Sequence, residues 1–171
     1  MASKRVFFHR IPKYERLQRM SERCPSLDPD AAEAHIALKV VGDAVAAAMR
    51  KDLARHGISE GRFLVLALLL EQEPRSLTHS DLADLSGVTK GNITGLVDGL
   101  ERDGFVRREG DRTDRRVSII SLTSAGKQLI EDVLPGHFAR VAAIMAGLSA
   151  SDRKSLVELL MKVRSGLTAL E

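Results

Sequence analysis

The stretch from residue 77 to 122 constrains the fold most. It opens with Leu77-Thr78-His79-Ser80-Asp81-Leu82-Ala83-Asp84-Leu85-Ser86-Gly87-Val88-Thr89. Thr78 with Asp81 three residues on is a capping box, and Leu82 and Leu85 supply an inward face. Gly87 closes this short helix, and Thr89 caps the next one, residues 90–103, in which Ile93, Leu96, Val97 and Leu100 recur at helical spacing up to Gly104. Two short helices joined by a tight turn containing glycine form a helix-turn-helix. Phe105-Val106-Arg107-Arg108 follows as a strand, residues 109–115 as a charged tip, and Val117-Ser118-Ile119-Ile120-Ser121-Leu122, rich in β-branched residues, as the return strand. A hairpin behind a helix-turn-helix is a wing.

Longer helices flank this unit. Residues 10–20 form a short helix after Pro12, with Tyr14, Leu17 and Met20 on one face. Asp28 caps a long helix with Pro29 at its first position, and Leu38, Val41, Val45, Ala48 and Met49 make an apolar stripe up to the stop at Gly57. Ser59 caps a helix in which residues 63–70 are apolar almost all round, the pattern of a central core helix, and Pro74 ends it. Thr123 caps a helix through Pro135 to about Ala146, whose Leu129, Ile130, Val133, Leu134, Phe138, Val141, Ile144 and Met145 are too many for one small domain face. Ser149 with Asp152 caps a last helix striped by Leu156, Leu159, Leu160, Val163 and Leu167. These surplus stripes need partners.

Composition narrows the function classes. The 171 residues carry a net charge of +3, too little by itself to point to nucleic acid. Its distribution says more: residues 1–23 hold seven Lys or Arg against two Glu, a local +5 that leaves −2 for the rest. A second basic cluster, Arg107, Arg108, Arg112, Arg115 and Arg116, lies on the wing. Local basic clusters on a near-neutral body suit a polyanion, though charge runs also serve simply as solvated loops. Tryptophan is absent and aromatic residues are 4% of the chain, which argues against a base-stacking surface for single strands. The longest apolar run is too short to cross a bilayer, and the N-terminus lacks a signal-peptide core, so the expected compartment is the cytoplasm. A single cysteine, Cys24, excludes an intramolecular disulfide framework, and the scattered His9, His35, His56, His79 and His137 offer no metal-ligand spacing. There is no nucleophile motif, phosphate loop or paired-carboxylate pocket, and Asp111 and Asp114 sit among arginines. The chain reads as no enzyme, with no cofactor or metal.

The start of the second short helix offers Thr89, Lys90, Asn92 and Thr94, since its other side is occupied by apolar residues. In a helix-turn-helix these positions reach base edges in the major groove. Lys90 suits guanine or phosphate, Asn92 adenine, and Thr94 a thymine methyl. Gly91, Gly95 and Gly99 recur every fourth residue on this helix. Close backbone approach to DNA and tight internal packing both account for them.

The run Gly110-Asp111-Arg112-Thr113-Asp114-Arg115-Arg116 through Leu122-Thr123-Ser124-Ala125-Gly126 resembles the signature of the MarR family of bacterial transcriptional regulators. So do Leu82-Ala83 with Val88-Thr89, and Leu96-Val97-Asp98-Gly99-Leu100-Glu101-Arg102-Asp103-Gly104-Phe105-Val106. The resemblance runs from Ile58 to Gly126 and implies a mainly α fold. A winged helix-turn-helix at residues 58–123 would lie between dimerisation helices at 28–57 and 124–171, behind a basic extension at 1–27. It implies a homodimer on a pseudo-palindromic double-stranded operator, with Arg116 in the minor groove oriented by Asp114, where a narrow groove concentrates negative potential. Arg107, Arg108, Arg112 and Arg115 would touch phosphates. Residues 95 and 99 are glycine where many members carry larger, often basic side chains.

The resemblance also implies release of DNA by a small anionic aromatic or phenolic ligand held between the dimer helices and the winged helix. Expected lining residues are His35 and Lys39, Arg62 and Leu66, and Phe138 and Val141, with Arg62 holding the anionic group. The longer, urate-responsive members use a Trp and an acid that this chain lacks, so urate is disfavoured. Two alternatives stand beside ligand release. One is redox sensing through Cys24, although the sensing cysteine of such members lies inside the first long helix. The other is a winged helix used only for protein assembly, which predicts a less basic wing.

Overall fold

The computed structural model describes residues 14–110 and 118–168. The chain divides between Lys51 and Asp52 into two compact units. In the first, helix α1 (Tyr14–Ser21) precedes the long α2 (Pro29–Leu53). Asp28 caps α2, its carboxylate accepting from the Asp30 and Ala31 amides at 2.9 and 3.1 Å. The Asp30 carboxylate hydrogen-bonds Tyr14 and pushes its phenol pKa up. Leu17 is buried, but Met20 is 54% exposed, so the three-residue apolar face expected of α1 reduces to one buried position. Leu38 and Val41 on α2 are exposed as well.

The second unit opens where α2 tightens into a 3-10 turn at Ala54–His56, closed by Gly57 at φ 72°. Helix α3 (Glu60–Glu71) begins at Ser59, whose hydroxyl accepts from the Arg62 amide at 3.3 Å. Its Val65, Leu66 and Leu69 are buried, as the all-round apolar run predicts. Strand β1 (Leu77–Thr78) leads directly into α4 (His79–Ser86), where Thr78 and Asp81 close the expected capping box. Gly87, at φ 67°, ends α4 and turns the chain into α5 (Lys90–Arg102). Ile93, Val97 and Leu100 of α5 meet α3 and α4 in the main core, with Leu77, Val106, Ile120 and Ile130.

Two expectations need correction. Leu85 is 51% exposed, and Ala83 takes the buried place beside Leu82. At 100° per residue the buried sector of α4 is centred between Leu82 and Ala83, which puts Leu85 roughly 110° away and His79 near the middle. The first wing strand also runs further than predicted, while Val117, expected to open the return strand, lies outside the described residues. Strand β2 (Val106–Gly110) carries Glu109 and Gly110 in the ladder rather than on the tip, Gly110 pairing with Ser118 of β3 (Ser118–Leu122). Strand β1 was not expected. It pairs antiparallel with β3 through Leu77↔Ile120 and Thr78↔Ile119, giving the order β1-β3-β2. Two residues carry no alternating pattern, so this strand exists only because β3 presents a free edge.

Thr123 joins the wing to α6 (Ser124–Ile144). Its backbone amide donates to the Phe105 carbonyl at 3.1 Å, and its hydroxyl donates to the Gly104 carbonyl at 2.7 Å. The first half of α6 buries Gly126, Ile130 and Val133. Beyond Pro135 the helix exposes Phe138, Val141 and Ile144. Every residue of α7 (Ala150–Thr168) is exposed, including the whole predicted stripe from Leu156 to Leu167. No helix among the described residues is long and apolar enough to cross a membrane.

Candidate nucleic-acid interface

Helix α5 is anchored by its apolar side and open at its start. Thr89 caps it in extended geometry, its hydroxyl accepting from the Asn92 amide at 3.5 Å. Thr89, Lys90, Asn92 and Thr94 are all exposed. The Thr94 hydroxyl donates to the Lys90 carbonyl at 3.0 Å, so its proton is engaged within the helix. The unpaired amides of the first turn and the positive end of the helix dipole sit on the same surface, a setting that favours phosphate.

The three glycines of α5 are not equivalent. A Cβ at Gly91 or Gly95 would meet nothing within 4 Å, whereas one at Gly99 would lie 2.4 Å from Arg62 Nη2. Internal packing therefore explains Gly99 alone. Arg62 lies over that glycine, and its Nη1 is 2.7 Å from Asp103 Oδ2, tying the start of α3 to the end of α5.

The basic residues of the wing divide likewise. Arg107 and Arg108 are neighbours on β2 and so face opposite sides of the sheet. The Arg107 side chain is largely exposed, with Nε 2.9 Å from Glu109 Oε1 and 3.0 Å from Ser121 Oγ. Arg108 is only 25% exposed, its Nη2 bonded to Asp98 Oδ1 and its Nη1 3.4 Å from Glu101 Oε2. Its charge is thus opposed by two carboxylates of α5, a different setting from the phosphate contact expected of it. Arg112, Asp114, Arg115 and Arg116 lie outside the described residues.

The expected effector residues fall in both units. His35 is exposed, and Lys39 pairs with Asp43 at 3.1 Å along α2. Leu66 is wholly buried in the main core. Arg62 is paired with Asp103, and Phe138 and Val141 are exposed on α6. A cleft of about 510 Å³ is lined by Leu69, residues 73–76, Arg107, Ser121 and Leu122, none of them an expected effector residue.

Sequence reasoning missed a cluster at Asp52, Phe63, His137 and Arg140. Phe63 stacks on His137 at 4.3 Å between centroids, and Phe138 meets the same imidazole edge-on at 5.5 Å. Asp52 is buried, 2.5 Å from Arg140 Nη2 and 3.7 Å from Arg55 Nη1. The Arg140 guanidinium holds the Asp52 carboxyl below the usual carboxylate range. His137 Nδ1 and Arg140 Nε are buried without hydrogen-bond partners. His137 and Arg140 share a face of α6 at a spacing of three, but nothing in the sequence signals Phe63 or Asp52 opposite them. Cys24 lies exposed between α1 and α2, with Sγ 3.3 Å from Ser26 Oγ.

A helix-turn-helix with an open recognition turn, backed by a hairpin, defines a winged-helix DNA-binding regulator. The MarR family profile matches residues 58–118. The repressor YetL of Bacillus subtilis is 37% identical over 150 residues, covering 88% of this chain and 90% of YetL. CouR of Rhodococcus jostii RHA1, solved with p-coumaroyl-CoA, superposes with a TM-score of 0.66 at 28% identity, covering 76% of this chain and 90% of CouR. The S. aureus MepR–DNA complex shares the fold with a TM-score of 0.70 at 22% identity, covering 75% and 94%. The chain belongs to the MarR family of transcriptional regulators. It is a DNA-binding transcriptional regulator of that family and not an enzyme.

Proposed function

We propose that the chain represses transcription as a homodimer seated on a pseudo-palindromic operator and leaves it when a small anionic aromatic ligand binds. The observation that carries this reading is the recognition turn: Thr89, Lys90, Asn92 and Thr94 exposed above a fully buried Ile93, Val97 and Leu100. Lys90, Asn92 and Thr94 would read base edges, and the arginines from 112 to 116 would follow the backbone and the minor groove. The exposed apolar residues of α6 and α7 support the homodimer, because contiguous apolar surface on that scale calls for a partner. CouR, bound to p-coumaroyl-CoA, supports release by an aromatic ligand. The unpaired His137 Nδ1 and Arg140 Nε beside the Phe63–His137 stack add polar and aromatic groups suited to such a molecule.

The test is a mobility-shift titration on the DNA upstream of the coding sequence, with competitor DNA and two salt concentrations. A competitor-resistant complex on half-sites about one helical turn apart is expected. Phenolic carboxylates added to the same complex should release it. Arg116→Ala should weaken specific binding well beyond the loss of one phosphate contact while the dimer stays intact. Wild-type affinity in that variant would remove the wing from the mechanism.

A further inference from the structure

Arg108 occupies an uncommon position for a basic residue of a DNA-binding hairpin. It projects from the middle of β2, where its backbone pairs with Ile120, and its guanidinium bridges Asp98 and Glu101 on α5. Its Nε is buried without a partner, and so is Nε2 of His79, whose ring lies in the buried sector of α4 near the same charges. Three elements therefore meet at one side chain: the first helix of the helix-turn-helix, the recognition helix and the first wing strand.

Charge decides what this guanidinium can do. Among the described residues, one cation facing two carboxylates leaves an excess of negative charge at this contact, which disfavours a phosphate there. The planar fork of arginine suits two acceptors at once, and a lysine ammonium on the same stem concentrates its charge on one. We propose that Arg108 is a positioning residue for DNA recognition: by clamping Asp98 and Glu101 to β2, with His79 packed beside it, it sets the wing at the angle to α5 that lets both reach the same half-site. This rests on the reading of the chain as a sequence-specific DNA binder. Among the described residues Arg107, on the opposite face of the strand, holds Glu109 and Ser121 and bridges no second element outside the wing.

The discriminating variants are Arg108→Lys, which keeps the charge, and Asp98→Asn with Glu101→Gln, which frees the arginine. Each full-length protein is titrated over a salt series against a duplex selected by the wild type from a random pool, and against an unrelated duplex of equal length. A clamp predicts that both variants lose at least about tenfold in the ratio of specific to non-specific affinity, while the slope of log K against log salt stays that of the wild type. A loss of folded protein would lower both affinities together and leave the ratio unchanged, so the ratio separates positioning from stability. Wild-type binding by Arg108→Lys overturns the proposal. So does tighter specific binding once the carboxylates are removed, or a slope that falls by about 0.9 in Arg108→Ala, the signature of one lost phosphate contact. A wild-type chain that selects no sequence at all would instead overturn the underlying reading, and the clamp with it.

Discussion

Gly126 and Gly95 are both helical glycines in opposite surroundings. A Cβ at Gly126 would fall 1.9 Å from the Phe105 carbonyl oxygen, an atom of the backbone that cannot swing aside. That carbonyl is held by the Thr123 amide at 3.1 Å and approached by its hydroxyl at 3.2 Å, so the Leu-Thr-x-x-Gly run is a docking joint between wing and α6. Gly126→Ala should cost about 1–3 kcal/mol by forcing the helix off the joint. Urea unfolding checks it, and an unchanged midpoint would refute the joint. Gly95 faces open space, so Gly95→Ala should raise the unfolding free energy by up to about 1 kcal/mol from helix propensity. If the glycine serves backbone approach to DNA, the same variant binds the operator more weakly; unaltered binding would leave the glycine without a role there. The sequence shows both glycines with equal clarity, but their neighbours belong to other segments and are visible only after folding.

Helix α4 shows what a short element owes to its neighbours. Its ends were legible, because the capping box and Gly87 act within a few residues. Its rotation was not: Leu82 and Leu85 look equally inward in sequence, and contact with β3 and α5 turns the buried sector toward His79. That burial carries a pH signature. Desolvation, then the nearby Arg108 charge, lowers the His79 pKa below 6.5, against a smaller opposing pull from Asp98 and Glu101. The folded chain then binds fewer protons there than the unfolded chain. Stability should be level above pH 6.5, decline as pH falls through the interval down to the depressed folded value, and level off below it. His79→Gln should flatten that decline in urea unfolding followed by pH; an unchanged profile would remove His79 from it. The Thr78 amide, hydrogen-bonded to Asp81, lowers the Asp81 carboxyl below 3.8, so its contribution is present above that pH and lost as acid passes through the folded value.

At the scale of the whole molecule, the unequal burial of α6 and α7 is the controlling fact. The front of α6 is part of the winged-helix core, while its end and all of α7 leave Phe138, Ile144, Leu156, Leu160 and Val163 in the open. Replacing Leu156 and Leu160 together by Glu should leave the cooperative unfolding of the winged helix intact, since neither residue is buried there. Sedimentation should show the dimer dissociating toward monomer. A dimer that survives both changes would place the interface elsewhere. The two stripes were readable from spacing alone, as was their excess over what one small domain can cover. Any surface that covers them lies outside this chain's own periodicity, which carries no record of it.

The sequence by itself determined the elements and their class. Caps at Asp28, Ser59, Thr78, Thr89, Thr123 and Ser149 and stops at Gly57 and Gly87 are local chemistry, and a hairpin after two short helices admits few folds. Tertiary structure alone decided which charges are available. The sequence shows the charges of Arg62 and Arg108 without their counter-charges. Asp103, lying 41 residues from Arg62, and Asp98, 10 residues from Arg108, become their partners only when α5 packs between α3 and the wing. The same packing created β1 on the edge of β3 and set His137 against Phe63. Electrostatic and packing roles depend on distances through space, and those are set by the fold as a whole.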